Sequence, residues 1–350
     1  MASADSLKRI YVAGAGTGKT SMLRDIALER CLDQKVLYLT YTDANAEEFR
    51  SAIVGRVGHV PPSIKVMTWF SFLLAHGVRP FPAEGFSHRI NRMLFNNREP
   101  KNPRGVTRGD ERYYCPSAGV AYRTRLSDLA ALCNEQWSGE VVRRVSDIYG
   151  IILVDEAQDF AGYDYDLLLA LMDQSQEMVV VGDPRQQTYR TGAKAKNRNN
   201  PNVFDFFAKK SQYVIDSTTL SVTHRCSGEV ISLANRLYPE YPPVEPSAER
   251  LLDSRGAVGN VRKSDFETWV APRNNIVTAL IWDARTKVPA GCRVMNMGES
   301  KGLTLEDVAI FPTKDMRKWL EGEPVIFEDT TKAKFYVAIT RARGDLFFVL

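Results

Sequence analysis

A glycine-rich segment, AGAGTGKT, occupies positions 13 to 20, between a short apolar run and helix-like sequence. Glycine at every second position allows backbone N–H groups to point at phosphate oxygens, and Lys19 adds positive charge near the β and γ phosphates. The Thr20 hydroxyl is suited to ligate Mg²⁺. The general pattern has glycine where this chain has Ala13, but the strand–loop–helix context favours a nucleotide-binding loop over a chance glycine run. The candidate nucleotide-binding residues are Gly14, Ala15, Gly16, Thr17, Gly18, Lys19 and Thr20.

Two adjacent carboxylates follow another apolar run, in the segment ILVDEAQDF that starts at Ile152. Asp155, at the predicted strand end, is placed to hold Mg²⁺, and Glu156 is placed to orient and deprotonate a water that attacks a γ-phosphate. A kinase that hands phosphate to a bound acceptor needs no water-activating glutamate, so the pair favours a hydrolase. The alternative is that both acids only cap a helix N-terminus.

Short apolar runs separated by helix-like sequence must position these residues. The runs at 10–13, 36–40, 151–154 and 178–181 predict buried parallel strands of an α/β sheet. A second α/β series begins near Tyr213 and includes the runs 268–272, 293–297, 308–311 and 346–350. Five prolines interrupt residues 80 to 140, which separate the runs 36–40 and 151–154 of the first series. We therefore expect a first domain over 1–79 and 141–212, an inserted subdomain over 80–140 and a second domain over 213–350.

The composition is that of an ordinary folded protein, with 350 residues, 44% of them hydrophobic, and a net charge of +4. Between positions 79 and 125, ten Lys or Arg stand against four acids and lie among aromatic residues, which suits phosphate contact and base stacking. A solvated loop explains this stretch equally well. Five scattered cysteines form no CxxC pair, which favours a reducing compartment without a structural metal. No apolar run is long enough for a membrane span, so we expect a cytoplasmic protein with no membrane partner.

In their order along the chain, these segments resemble the motifs of superfamily 1 helicases, above all of the UvrD/Rep type. The resemblance implies two RecA-like P-loop NTPase domains with parallel sheets, a small 1B-like insertion in the first and ATP in the cleft between them. Beside the two segments above, TYTDANAEEF (40–49) and VMTWFSF (66–72) match the family. Four later stretches match the motifs that the family numbers third to sixth: VGDPRQQTY (181–189), VTHRCSGEV (222–230), GESKGLTLEDV (298–308) and YVAITRAR (336–343).

The resemblance also implies roles for single residues. Gln186 would sense the γ-phosphate, and Arg225 and Arg341 would contact phosphate. The implied catalytic set is Lys19, Asp155, Glu156, Gln186, Arg225 and Arg341, with Thr20 and Asp155 on the metal and both arginines also in the nucleotide site. The implied nucleic-acid-binding residues, hereafter the strand-binding residues because they would contact a single nucleic-acid strand, are Thr42, Thr68, Trp69, Phe70, Tyr189 and Lys301. The implied cofactors are ATP and Mg²⁺.

Several positions depart from the UvrD/Rep pattern. No glutamine precedes the glycine-rich loop to read adenine, and RTGA follows Tyr189 where relatives have an aromatic residue before Arg-Gly-Ala. The missing stacking role is then expected of Tyr189 or Trp69. ESKGLT in the fifth motif is closer to 5′-to-3′ or viral members. Only about twenty residues separate 271–275 from that motif, so the large regulatory insertion of UvrD-type enzymes is absent.

Three functions follow as hypotheses. The first is an ATP-dependent DNA helicase or translocase on single-stranded DNA that moves 3′ to 5′. The second is a DNA-stimulated ATPase that serves a partner nuclease in repair or phage defence, and RNA is an open alternative as the substrate. The third is a nucleotide-gated switch without turnover, against which Glu156 argues because a switch needs no positioned water.

Overall fold

The computed structural model describes residues 8–95, 100–101, 104–188, 196–197, 199–200, 202–210, 212–273 and 276–350. Contacts within the chain divide it into two compact units. Of the described residues, the first unit contains 8–11, 20–182 and 196–216, and the second contains 12–19, 183–188 and 217–350. Each unit contains a parallel sheet with helices, which confirms the expected α/β class.

The first unit is built on six strands: β1 (Lys8–Val12), β2 (Val36–Thr40), β3 (Ile64–Thr68), β6 (Ile151–Val154), β7 (Glu177–Gly182) and β8 (Ile215–Asp216). They form one sheet in the order β3-β2-β6-β7-β1-β8. Neighbours β2–β3, β2–β6, β6–β7 and β1–β8 are parallel. Every residue of β2 and β6 is buried, as expected for continuous apolar runs that are covered on both faces. The four strands predicted for this region are confirmed, each within one or two residues at its ends.

The helices of the first unit are α1 (Lys19–Arg30), α2 (Asp43–Val57), α3 (Trp69–Phe72), α4 (Glu111–Tyr114), α5 (Leu126–Gln136), α6 (Glu140–Ile148), α7 (Tyr163–Gln174) and α8 (Val203–Ala208). A π-helix over Leu73–Val78 continues α3, and β4 (Arg92–Leu94) pairs in parallel with β5 (Val120–Tyr122). Helix α5 packs on the π-helix and on α7 through buried residues such as Leu126, Leu129 and Cys133. The end of the stretch predicted as an insertion therefore contributes to the packed interior of this unit.

The second unit contains β9 (Val222–Thr223), β10 (Glu245–Pro246), β11 (Val258–Val261), β12 (Val277–Ile281), β13 (Arg293–Asn296), β14 (Asp307–Ile310) and β15 (Leu346–Val349). Five of these strands form a parallel sheet in the order β11-β15-β14-β12-β13, and β9 pairs with β10. Alternate residues of β14 point to opposite sides: Val308 and Ile310 lie in one apolar cluster and Ala309 in another. The sheet thus has a core on each face.

The helices of the second unit are α9 (Gly228–Asn235), α10 (Ala248–Leu252), α11 (Phe266–Val270), α12 (Lys314–Leu320) and α13 (Asp329–Ile339). The apolar run at 268–272 is the end of α11 and a 3₁₀ turn, which corrects its assignment to the strand series. Phe266 and Val270 are four residues apart and share one buried face, a helical spacing. The strand of this region is β12, whose run VTALI was not predicted.

No helix in the described part of the chain combines the length and apolarity needed to cross a membrane.

Candidate functional site

The glycine-rich loop, residues 13–20 and hereafter the phosphate loop, connects β1 to α1 as predicted. Backbone bonds within the second unit hold it: the Gly14 N–H donates to the Leu220 carbonyl at 3.1 Å, and the His224 N–H donates to the Gly16 carbonyl at 2.8 Å. Residues 220–224, which include the start of the fourth motif, therefore lie directly against the loop.

Two of the loop glycines are needed for close approach. A Cβ added to Gly14 would lie 2.4 Å from a methyl carbon of Val244. A Cβ added to Gly16, whose φ is +71°, would lie 2.6 Å from the Cβ of Arg225. Gly18 differs, since it has a φ of +83° and open space where a Cβ would be. Only Gly18 has room beside it for a ligand group, and its left-handed backbone is one that side chains disfavour.

Polar side chains of the loop bond back to its own backbone. The Lys19 ammonium donates to the Gly14 carbonyl at 3.2 Å, and the Thr17 hydroxyl donates to the same oxygen at 3.1 Å. The lysine charge is therefore kept over the loop, where a phosphate group would exchange for a carbonyl oxygen as its partner.

Asp155 follows β6 and is 3% exposed. Its Oδ2 accepts a bond of 2.8 Å from the Tyr38 hydroxyl, and its Oδ1 accepts one of 2.8 Å from the Glu156 N–H. Burial, and then the negative charge of Asp155, raise the pKa of Tyr38 well above its usual value, so the hydroxyl remains a donor at neutral pH. Sequence reasoning placed Asp155 but gave Tyr38 no role beyond its strand.

Glu156 has the left-handed backbone conformation, with φ 53° and ψ 41°. Non-glycine residues rarely adopt it, and such positions concentrate at functional sites. The Glu156 carboxylate accepts a hydrogen bond from the Gln158 side-chain amide, and Gln158 has no exposed surface. The backbone and Gln158 thus fix the direction of the carboxylate proposed to activate water. Gln158 is part of the DEAQD sequence but was not predicted as a site residue.

Gln186 and Arg341 are joined directly within the second unit. The Arg341 guanidinium is 2% exposed and donates to the Gln186 side-chain oxygen at 3.2 Å, as well as to the Val337 and Leu303 carbonyls. The Gln186 side-chain nitrogen donates to Asp183 at 2.8 Å. The third and sixth motifs therefore meet at one hydrogen bond, an arrangement that the sequence did not specify.

Arg225 is half-buried and donates to the Thr340 carbonyl at 3.3 Å, one residue before Arg341. The two candidate phosphate-contacting arginines thus lie near each other, and the Arg225 backbone lies against Gly16 of the phosphate loop.

Arg185 lies in the VGDPRQQTY segment, but the sequence predicted no role for it. It is 4% exposed, pairs with Asp183 at 2.8 Å and donates to the Ala13 carbonyl at 2.9 Å and to the Pro242 carbonyl at 3.3 Å. Burial lowers the pKa of Arg185, but Asp183 together with the Tyr336 and Tyr241 side chains outweighs burial, so the pKa is raised overall. Arg185 therefore ties the start of the phosphate loop to the third motif and to the segment before β10.

Two of the predicted strand-binding residues lie at the carboxyl end of the first sheet. Thr42 follows β2 and caps α2 by accepting from the Asn45 N–H at 3.2 Å. Thr68 ends β3 and donates to the Ser71 hydroxyl at 2.9 Å. Because β2 and β3 are neighbours in register, with Thr40 opposite Thr68, both threonines lie at one edge of the sheet.

The aromatic residues expected to contact bases are covered. Trp69 has no exposed surface, its N–H donates to Asp164 at 2.7 Å, and its ring packs on Phe72 and Phe160. This corrects the expectation that Trp69 stacks on a base, because the ring has no free face. Phe70 is 9% exposed, with the Arg123 guanidinium 4.8 Å from its ring centre.

The remaining predicted contacts lie elsewhere. Lys301 lies in a turn that follows β13 in the second unit, and Tyr189 lies outside the described residues.

The donor groups fit a magnesium nucleotide. Among the described residues, no three His, Cys, Asp or Glu side chains gather into a metal cage. Mg²⁺ is usually held by one or two carboxylates, waters and the phosphates of its nucleotide, which matches a set of one carboxylate, Asp155, and one hydroxyl, Thr20. The open backbone at Gly18 and the ammonium of Lys19 are suited to phosphate oxygens. Thr40, fully buried at the end of β2, has a hydroxyl with no hydrogen-bond partner among the residues that the structure describes.

Comparison with known proteins finds a family match for the N-terminal part of the chain and another for the C-terminal part. Residues 3–192 match a family described as an AAA domain, and residues 120–350 match the viral superfamily 1 RNA helicase core domain. No curated protein is significantly similar to the chain in sequence. Among solved structures, a complex of Arterivirus nonstructural protein 10 (helicase) with DNA is similar at 17% identity and a TM-score of 0.49, over 98% of this chain and 61% of that one. The chain thus spans less than two thirds of that helicase.

Each of the two family matches covers more than half of the chain. They account for the phosphate loop, for the DEAQD segment and for all four later motifs, in the order in which the sequence presents them. The chain belongs to the viral superfamily 1 RNA helicase core family, and its two units with parallel sheets agree with the expected pair of RecA-like domains.

Proposed function

We propose that this protein is an ATP-driven translocase on single-stranded nucleic acid. The observation that carries the proposal is the 3.2 Å bond between Arg341 and Gln186, beside a phosphate loop packed on Arg225. The segment of Arg341 thus contacts the segment of Gln186 directly and the segment of Arg225 through the Thr340 carbonyl. Bound ATP and Mg²⁺ would supply the γ-phosphate to be hydrolysed and the cation that neutralises its charge.

Each proposed catalytic residue has a distinct task. Lys19 and the loop N–H groups would bind phosphate, and Thr20 and Asp155 would hold the cation. Glu156 accepts a proton from water. Arg225 and Arg341 stabilise charge at the γ-phosphate, and Gln186 couples that contact to strand binding. Loss of the γ-phosphate would release both arginines, which is the proposed source of movement.

DNA, 3′-to-5′ movement and the UvrD/Rep type are the finer parts of this proposal, and they rest on the resemblance of the motifs. RNA is the second candidate, and the description of the matching family favours it. The ESKGLT sequence of the fifth motif also differs from the UvrD pattern. A partner nuclease and a cytoplasmic location remain proposals of the same kind.

The deciding experiment measures the ATPase rate with single-stranded DNA, duplex DNA and single-stranded RNA at equal nucleotide concentration. We expect single strands to stimulate the rate at least tenfold. Equal rates with and without all three polymers would contradict the translocase proposal. A strand-displacement assay with overhangs of each polarity then separates a helicase from an ATPase that needs a partner, and gives the direction of movement.

A further inference from the structure

Tyr38 is a fully buried tyrosine in the middle of β2, with its hydroxyl 2.8 Å from Asp155 Oδ2. The register explains the contact: Tyr38 lies opposite Leu153 of β6, so its side chain is on the same face of the sheet as Asp155, two residues further on. Strand pairing therefore sets the distance between the hydroxyl and the carboxylate.

The ring of Tyr38 is clamped as well. Phe49 of α2 stacks on it, with ring centres 3.5 Å apart and planes 9° apart, and Phe49 has no exposed surface. A tyrosine held by a strand on one side and by a stacked ring on the other cannot move its hydroxyl without disturbing α2. The donor is thus fixed before any ligand binds.

We propose that Tyr38 is a positioning residue for Asp155, which sets the orientation of the carboxylate for Mg²⁺. This inference rests on the proposed function, in which Asp155 holds the cation. Tyr38 bonds one carboxylate oxygen and the Glu156 N–H bonds the other, so the plane of the group is defined. A carboxylate can accept more than two bonds, so the cation or one of its waters would meet a group whose plane is already set.

The coordination geometry of Mg²⁺ makes its affinity sensitive to the orientation of the carboxylate. The ion demands a nearly ideal octahedron, so a carboxylate that turns loses affinity for it. Removal of a group that orients a metal ligand typically lowers metal affinity by about 10–100-fold. Here the expected loss is on the order of tenfold, because the Glu156 N–H still holds one oxygen.

The test is Tyr38→Phe, which keeps the stacked ring and removes only the hydroxyl. Mn²⁺ affinity is measured by electron paramagnetic resonance in the presence of a non-hydrolysable ATP analogue. We expect binding weaker by about tenfold, with unchanged binding of the analogue in the absence of metal. The Mg²⁺ concentration for half-maximal ATPase should rise by a similar factor, and the rate should recover at saturating Mg²⁺.

Tyr149→Phe is the matched control, because Tyr149 is also buried in the first unit and its hydroxyl lies 3.5 Å from the His76 ring nitrogen Nε2 instead of Asp155. Its metal affinity should equal that of the wild type. In an Asp155→Asn background, Tyr38→Phe should cause no further loss, since both changes act on one contact. Unchanged Mn²⁺ affinity in Tyr38→Phe would overturn the inference, as would an equal loss in both backgrounds.

Two further outcomes are informative. If Tyr38→Phe does not fold, Phe49→Leu tests the same idea, because it frees the ring but keeps the hydroxyl; it should weaken Mn²⁺ binding less, and no change would count against the inference. If the wild type itself binds no metal–nucleotide complex, the proposed function fails. A wild type that binds normally beside an unaffected Tyr38→Phe defeats the positioning role alone.

Discussion

At Glu156, exchange of the carboxylate for an amide removes a proton acceptor and leaves the shape of the side chain almost unchanged. We therefore expect Glu156→Gln to bind nucleotide and nucleic acid with wild-type affinity and to hydrolyse ATP at least 100-fold more slowly, within the usual range for a lost general base. Fluorescent nucleotide titration and phosphate release measure the two properties. Asp147→Asn, a change at the exposed end of α6, serves as a control that removes a carboxylate elsewhere. Normal turnover in Glu156→Gln would rule out its assignment as the base.

Arg185 allows a test of stability next to the phosphate loop. Arg185→Met leaves Asp183, which has no exposed surface, without the charge of its partner. Breaking a buried ion pair in this way costs about 3–5 kcal/mol, which urea denaturation can measure. Asp183→Asn combined with Arg185→Met should recover part of that loss, because the buried charge is gone. A loss below about 1 kcal/mol, the usual range of an exposed pair, would show that the pair contributes little.

The roles of Tyr38 and Arg185 show what the sequence did not predict about the site. The phosphate loop, Asp155 and Glu156 were predicted because the residue types that indicate their chemistry are adjacent in the sequence. Tyr38 contacts a residue 117 positions away, and Arg185 contacts the Ala13 carbonyl 172 positions away. Such partners follow from strand register and loop packing, which no local pattern encodes. Trp69 was misassigned for a related reason: its aromatic ring indicated stacking, but only the tertiary structure shows what covers it.

Two glycines, one within α2 and one at its C-terminal cap, should change the stability of the protein in opposite directions when each is replaced by alanine. Gly55 lies within the helix and Gly58 caps its end with a φ of 85°, and neither has a heavy atom within 4 Å of an added Cβ. Gly55→Ala should stabilise the protein by about 0.5–1 kcal/mol. Gly58→Ala should destabilise it by about 1–2 kcal/mol, because a residue with a side chain disfavours the left-handed backbone conformation.

Both values come from chemical denaturation, and ATPase activity should not change in either variant. Stabilisation by Gly58→Ala would mean that α2 does not end in a left-handed residue.

The strands of the first unit were more predictable than those of the second. Runs such as VLYLT and IILV are continuous and apolar because both faces of β2 and β6 are covered. In the second unit, the apolar run at 268–272 was predicted as a strand but is the end of α11 and a 3₁₀ turn, and the buried residues of α11, Phe266 and Val270, are four apart. The composition of a short apolar run does not distinguish a helix from a strand. Here the spacing of the buried residues distinguishes them.

For the whole molecule, the proposed contacts with a nucleic-acid backbone should depend on salt. Each phosphate contact on a single strand contributes a slope of about −0.7 to log affinity against log salt, so about four contacts would weaken binding roughly 50-fold between 50 and 200 mM salt. Arg92, exposed on β4 in the basic stretch, offers the matching variant. Arg92→Gln should reduce the slope by about 0.7 if this stretch binds phosphate. An unchanged slope would favour a solvated loop there.

The packing of the phosphate loop also determines what a separately expressed fragment of the protein can show. A fragment that ends at Asp216 would contain the whole glycine-rich loop and the DEAQD segment. It would lack Leu220, His224 and Val244, which the loop contacts in the second unit. The Gly14 N–H and the Gly16 carbonyl would then be left to water, and the loop would lose the neighbours that require glycine at both positions. Nucleotide affinity measured on such a fragment would describe a different loop, although every residue of the motif is present.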